Sequence, residues 1–327
     1  MPLKLAGLAL WTVGVLFLFL AQSRLVGPTR SFWITTVLIL NPGWAVWSLR
    51  AGGGYLTSFV ASAALAWLLV QDRERETSVR WLIAGALTSL IYLAQPLWMP
   101  GVLAIAAAVL VSRRRVSWGI AYASVAAAAI LLIRLGTAST DQTWGGPALG
   151  NPDLLGSLSR VAHQIYVAQT GSYYLYWAID PPGPVTTTLA VIWCVVLAAV
   201  ARLQLYRLCT TRFCATSHLL FVALCATLAS QWALLSARDP RYLLPVFAIL
   251  VPLAGVELID LVDRRVVPRQ VAIFLTAAVV LLGSLSLGEF SAFNYLWKNP
   301  PNRWTEANDC SRCSAIYRPK TSAAFSR

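Results

Sequence analysis

The chain reads as an all-helical, polytopic membrane protein, and three observations carry that reading. Of its 327 residues, 58% are hydrophobic and 12% charged, whereas a soluble domain carries about 25% charge. Ten apolar runs recur along it, each of the order needed to cross a hydrocarbon core of about 30 Å. Arginines gather in every second connection between those runs. Lipid offers backbone groups no partner, and period-two alternation is weak throughout, so helices rather than strands fill the runs.

In order, the predicted spans are 3–22, 32–49, 55–70, 81–95, 97–111, 117–133, 185–205, 217–236, 242–261 and 271–287. The first has the length of a signal peptide. However, Gln22-Ser23-Arg24 is a poor cleavage site and a second run follows at once, so it is read as a span. Alternate connections carry Arg24 and Arg30, then Arg73, Arg75 and Arg80, then Arg113, Arg114 and Arg115. Later ones carry Arg202, Arg207 and Arg212, then Arg264, Arg265 and Arg269. The intervening short connections hold only Arg50, Arg238 and Arg241. This positive-inside pattern predicts a multi-pass plasma (inner) membrane protein with both termini and the 135–184 loop outside. A net charge of +13 also suits nucleic acid, but arginines placed between spans argue against that partner.

One membrane domain, 1–288, is followed by an outer tail, 289–327. The 135–184 loop is too long for a passive connector. It opens on the turn formers Gly145-Gly146-Pro147 and Asn151-Pro152-Asp153, and 154–165 is apolar at helical spacing, as a surface-lying helix would be. The later Tyr173-Tyr174-Leu175-Tyr176-Trp177 is either an aromatic belt at headgroup level or a platform for a glycan or lipid headgroup. Cys194 and Cys225 fall within spans and read as packing residues. Cys310-Ser311-Arg312-Cys313 lacks a second ligand pair, so it reads as free thiols or a local disulfide rather than a zinc site.

Ionisable groups at a membrane are costly and usually have a reason to be there. The outer acids are Asp141, Asp153, Asp180, Asp239, Glu289, Glu306 and Asp309, and the histidines are His163 and His218. No Ser-His-Asp, His-Glu-x-x-His or nucleotide motif is present, and Gly52-Gly53-Gly54 is a turn rather than a phosphate loop. Arg238 and Arg241, three residues apart in Ala237-Arg238-Asp239-Pro240-Arg241-Tyr242-Leu243-Leu244-Pro245, aim the same way at a helix entrance. They either anchor the interface, with Asp239 as ion-pair partner, or hold a lipid phosphate as it leaves with growing negative charge.

That motif, opening a span and followed by Pro252-Leu253-Ala254-Gly255, resembles the late transmembrane region of the GT-C glycosyltransferases. The nearest branch comprises bacterial proteins similar to protein O-mannosyltransferases and aminoarabinose transferases. Leu40-Asn41-Pro42-Gly43 resembles a family segment near the same place. So do Trp81-Leu82-Ile83-Ala84-Gly85-Ala86-Leu87 with Gln95-Pro96, and Trp304-Thr305-Glu306-Ala307 after the last span. The resemblance implies transfer of a sugar, hexosyl or mannosyl, from a polyprenyl-phosphate donor to a cell-envelope lipid, glycan or protein. Arg238 and Arg241 would hold the donor phosphate, Tyr242 would line the groove, and Asp141, Asp153 or Asp180 would serve as base.

The family places a further span and an acid-bearing outer loop ahead of the segment on which this chain opens. It also often has an acid where this chain reads Arg50-Ala51-Gly52-Gly53-Gly54. Proton removal from the acceptor needs a base. The expectation is therefore little transfer by the chain as given: either its gene starts further upstream, or a partner supplies the acidic loop, or the chain is a non-catalytic scaffold. No cofactor or metal site is assigned, and a divalent cation stays open. The rival class is a polysaccharide polymerase or flippase-type transporter. Transporters more often show matching halves, and none is evident here.

Overall fold

Where apolar runs must satisfy their own backbone, helices follow, and every described element is helical. A computed structural model of the chain describes residues 2–41, 44–45, 54–70, 77–113, 116–137, 165–166, 183–210, 215–233 and 243–298. The principal α-helices are α1 (Pro2–Val26), α2 (Pro28–Ile39), α3 (Gly54–Leu69), α4 (Ser78–Ala94) and α5 (Met99–Arg113). They continue with α6 (Val116–Thr137), α7 (Pro184–Thr210), α8 (Ala215–Ala233), α9 (Leu244–Asp263) and α10 (Arg269–Lys298). A 3-10 turn, Pro96–Trp98, joins α4 to α5.

Four helices are long and apolar enough to cross a membrane, over Leu5–Val26, Pro184–Thr210, Leu244–Asp263 and Arg269–Glu289. Shorter apolar stretches lie in α3, α4, α5, α6 and α8. Large side chains such as Leu5, Ile120, Leu132 and Phe274 point outward and are mostly exposed. Water would penalise such a surface; lipid would not. The chain is a membrane-embedded helical protein.

Burial ranks the helices. Of the apolar window of α9, 56% is buried inside the protein, against 11% for α10, so α9 is central and α10 peripheral. α9 packs on α8, α2 and α7, while α1, α3, α4 and α6 form a chain of neighbours and α10 lies along α7. α1 and α3 run the same way, since Gly7 meets Leu56, Gly14 meets Phe59 and Phe17 stacks near Trp67 at 5.7 Å. α2 lies between them in sequence.

Two backbone features shape the connections. Gly27 has φ +85° between α1 and α2, a conformation open to glycine, and Pro28 then starts α2 at the position where its missing N–H costs nothing. Gly54 opens α3 against the Ala94 carbonyl, so close that an added Cβ would overlap it.

The expected span 32–49 is not one unbroken helix. α2 stops at Ile39, and the Asn41 side chain accepts from Trp44 N at 3.0 Å, capping a new turn. Asn41 thus marks a helix break in a run that hydropathy alone reads as continuous.

Candidate functional site

An apolar groove runs along α9. Its wall is Pro245, Ala248, Ile249, Pro252 and Val256, spaced to share one helix face over about 16 Å. Opposite are Leu18, Ala21, Gln22, Leu25 and Val26 of α1, Ile34 of α2, and Phe59, Ser62 and Ala63 of α3. Trp98, Gly101, Val102 and Ile105, with Leu219 and Leu220 of α8, close the remaining side. The groove holds about 950 Å³ of atom-free space, part of it open to the surroundings. Pro252, inside α9, has no N–H to give the Ala248 carbonyl, so the groove wall carries a gap in its helical ladder.

Three polar groups interrupt this lining. Gln22 Nε2, Ser62 Oγ and Trp98 Nε1 are buried and have no hydrogen-bond partner among the described residues. Each can donate. An unpaired buried donor costs about 1–3 kcal/mol, so each of the three would gain from a partner brought into the groove. Trp98 lies at the Pro245 end and also packs against Trp44 and Phe59, at ring distances of 6.4 and 5.7 Å. Gln22 lies at the other end, with its Oε1 accepting from Thr35 Oγ1 at 3.2 Å.

Beside the Gln22 end sits a buried charge network. Arg207 of α7 forks onto Glu257 of α9, Nη1 to Oε1 at 3.0 Å and Nη2 to Oε2 at 2.9 Å, with both side chains under 5% exposed. The same guanidinium donates to Asp260 and, at 3.3 Å, to Ser217 Oγ on α8. Gln204 donates to Glu257, and Arg264 Nε reaches Asp260 at 2.9 Å. Two arginines thus balance two acids. Arg30 joins Asp263 through two hydrogen bonds of 2.9 and 3.0 Å, tying the α1–α2 turn to the end of α9. These ion pairs bring the α1–α2, α7–α8 and α9–α10 connections, three of those predicted to be arginine-rich, to one end of the bundle.

At the opposite end, Glu289 of α10 accepts from Val185 N at 3.0 Å and from Thr186 N and Oγ1 at 2.8 Å. One expected outer acid is therefore spent on capping α7. Asp141, Asp153 and Asp180 lie outside the described residues, as do Arg238, Arg241 and Tyr242. Of the motif that contains the last three, Leu243 and Leu244 are buried and Pro245 lies in the groove wall. Cys194 packs against the core as expected, but Cys225 is exposed on the outer face of α8, which corrects its reading as a packing residue. Among the described residues no cluster of three or more His, Cys, Asp or Glu side chains offers a metal site.

Reading acids only on the outer side missed Glu257 and Asp260. Their signal was present as Glu257-x-x-Asp260-x-x-x-Arg264, three charges on one face of an apolar helix. Gln22 and Ser62 gave no comparable signal, because single small polar residues are ordinary in spans. Set against known proteins, the chain matches no family model, no curated protein and no solved structure.

Proposed function

We propose that this is a ten-span membrane protein of GT-C type that binds a polyprenyl-phosphate-linked sugar at the outer end of its bundle. The observation that carries the reading is the groove, whose wall begins at Pro245, the last residue of the Arg238–Pro245 motif. A lipid chain laid in the groove has its phosphate at the end where that motif enters, beside the Trp98 indole N–H. Arg238 and Arg241 hold the phosphate through charge-assisted hydrogen bonds. In transfer, an acceptor oxygen bonds to the anomeric carbon, the sugar–phosphate C–O bond breaks, and the phosphate leaves with the electron pair. Asp141, Asp153 or Asp180 of the 135–184 loop is the fallback base for the acceptor's proton, and transfer by the chain as given is expected to be low. The acceptor is a cell-envelope lipid, glycan or protein.

The test compares Arg241→Ala with Arg50→Ala in binding of a labelled polyprenyl phosphate to purified protein. Both remove one arginine from the predicted outer side, so bulk charge is matched. Arg241→Ala is expected to lose about 1.5–3 kcal/mol of binding and Arg50→Ala much less. Equal, small losses would make the motif an interfacial anchor and end the reading.

A further inference from the structure

We infer that the Gln22 end of the groove is a second lipid site. It takes one acyl chain of an ester-linked glycerophospholipid, whose ester carbonyl accepts a hydrogen bond from Gln22 Nε2. The inference rests on the membrane setting of the proposed function but not on its transfer chemistry.

Gln22 is 5% exposed, and Thr35 Oγ1 holds its Oε1, which leaves Nε2 as the free arm of the amide. A lone water is a poor partner for it, since a buried water needs two to four polar neighbours. Lining the groove near this end are the apolar Leu25, Val26, Ile34, Leu219 and Val256, and the acids of the neighbouring network are already held by Arg207 and Arg264. The missing partner is therefore a neutral acceptor carried on hydrocarbon. An isoprenoid chain has no acceptor atom along its length; an acyl ester has its carbonyl at the top of the chain. Depth agrees. Gln22 lies two residues before Arg24, at the bundle end where the arginine-bearing connections meet, and lipid esters lie at that boundary between hydrocarbon and headgroup. The surplus of arginine there favours an anionic headgroup.

The test uses the full chain in detergent and native mass spectrometry with three probes. These are diacyl phosphatidylglycerol, its dialkyl ether counterpart without carbonyls, and a polyprenyl phosphate. The diacyl lipid is expected to bind about 2- to 12-fold more tightly than the ether, the span one neutral hydrogen bond commands. Gln22→Leu should abolish that difference, while Arg241→Ala leaves it intact and lowers only polyprenyl phosphate binding. Equal binding of ester and ether by the unaltered protein, which needs no variant to fold, overturns the inference. So does a preference for ester that survives Gln22→Leu. Loss of the Arg241 effect alone would sink the proposed function and leave this site standing.

Discussion

Both ends of α7 are held by carboxylates from other helices, yet the two ends meet opposite demands. At its start, Glu289 receives two backbone N–H groups and a hydroxyl, all neutral donors at a helix N-terminus, where a negative charge is favoured. Near its end, Arg207 carries a full charge into the interior and needs Glu257 and Asp260 to compensate it. The first contact caps; the second neutralises. A cap can be lost with its donors relaxing toward water or neighbours. A buried ion pair cannot lose one member without stranding the other, so the charges there depend on one another far more than their geometry alone suggests.

The largest expected effect comes from breaking the pair. Glu257→Ala should destabilise the protein by about 3–5 kcal/mol in thermal unfolding followed in detergent. Replacing both members, Arg207→Met with Glu257→Leu, should recover most of that loss because no charge is left unpaired. If the double variant is as unstable as the single, the network contributes through packing and the contrast between the ends collapses.

Glu289→Ala should cost about 1–2 kcal/mol, the scale of a lost helix cap with a charged acceptor, in the same unfolding measurement. A loss as large as that of Glu257→Ala would show that the capped end is as interdependent as the charged one.

The smallest effect belongs to Arg30 and Asp263, which lie at the charged end but are about half exposed, at 49% and 51%. Solvent screens such a pair, so Arg30→Ala should cost about 0.2–1 kcal/mol and less still in high salt. A salt-insensitive loss would place this pair with the buried network and extend the interdependent region to α2.

Much of the fold was legible because a bilayer constrains it so strongly. Helix positions followed from apolar runs, and the shared end of three arginine-bearing connections followed from alternation. Asn41 shows the limit: hydropathy averaged over 32–49 passes smoothly across a residue whose side chain ends one helix and caps the next turn. The candidate site was legible only at its Pro245 end. Pro245 belongs to a recognisable motif, whereas Gln22, Ser62 and Trp98 come from α1, α3 and the Pro96–Trp98 turn, three segments that meet only where they line the groove opposite α9.

The sequence by itself determined the class of structure, since apolar length and the absence of lipid-side partners leave helices as the outcome. It also anticipated that the α1–α2, α7–α8 and α9–α10 connections share an end of the bundle, because charge resists transfer across hydrocarbon. The tertiary structure alone decided which polar groups found partners. Glu257 and Asp260 became interior counter-ions because Arg207, about 50 residues away, folds against them, and Glu289 became a cap because α10 lies along α7. Pairing in three dimensions sets the free energy of a buried charge or donor, and no local pattern encodes which distant residue will supply the partner.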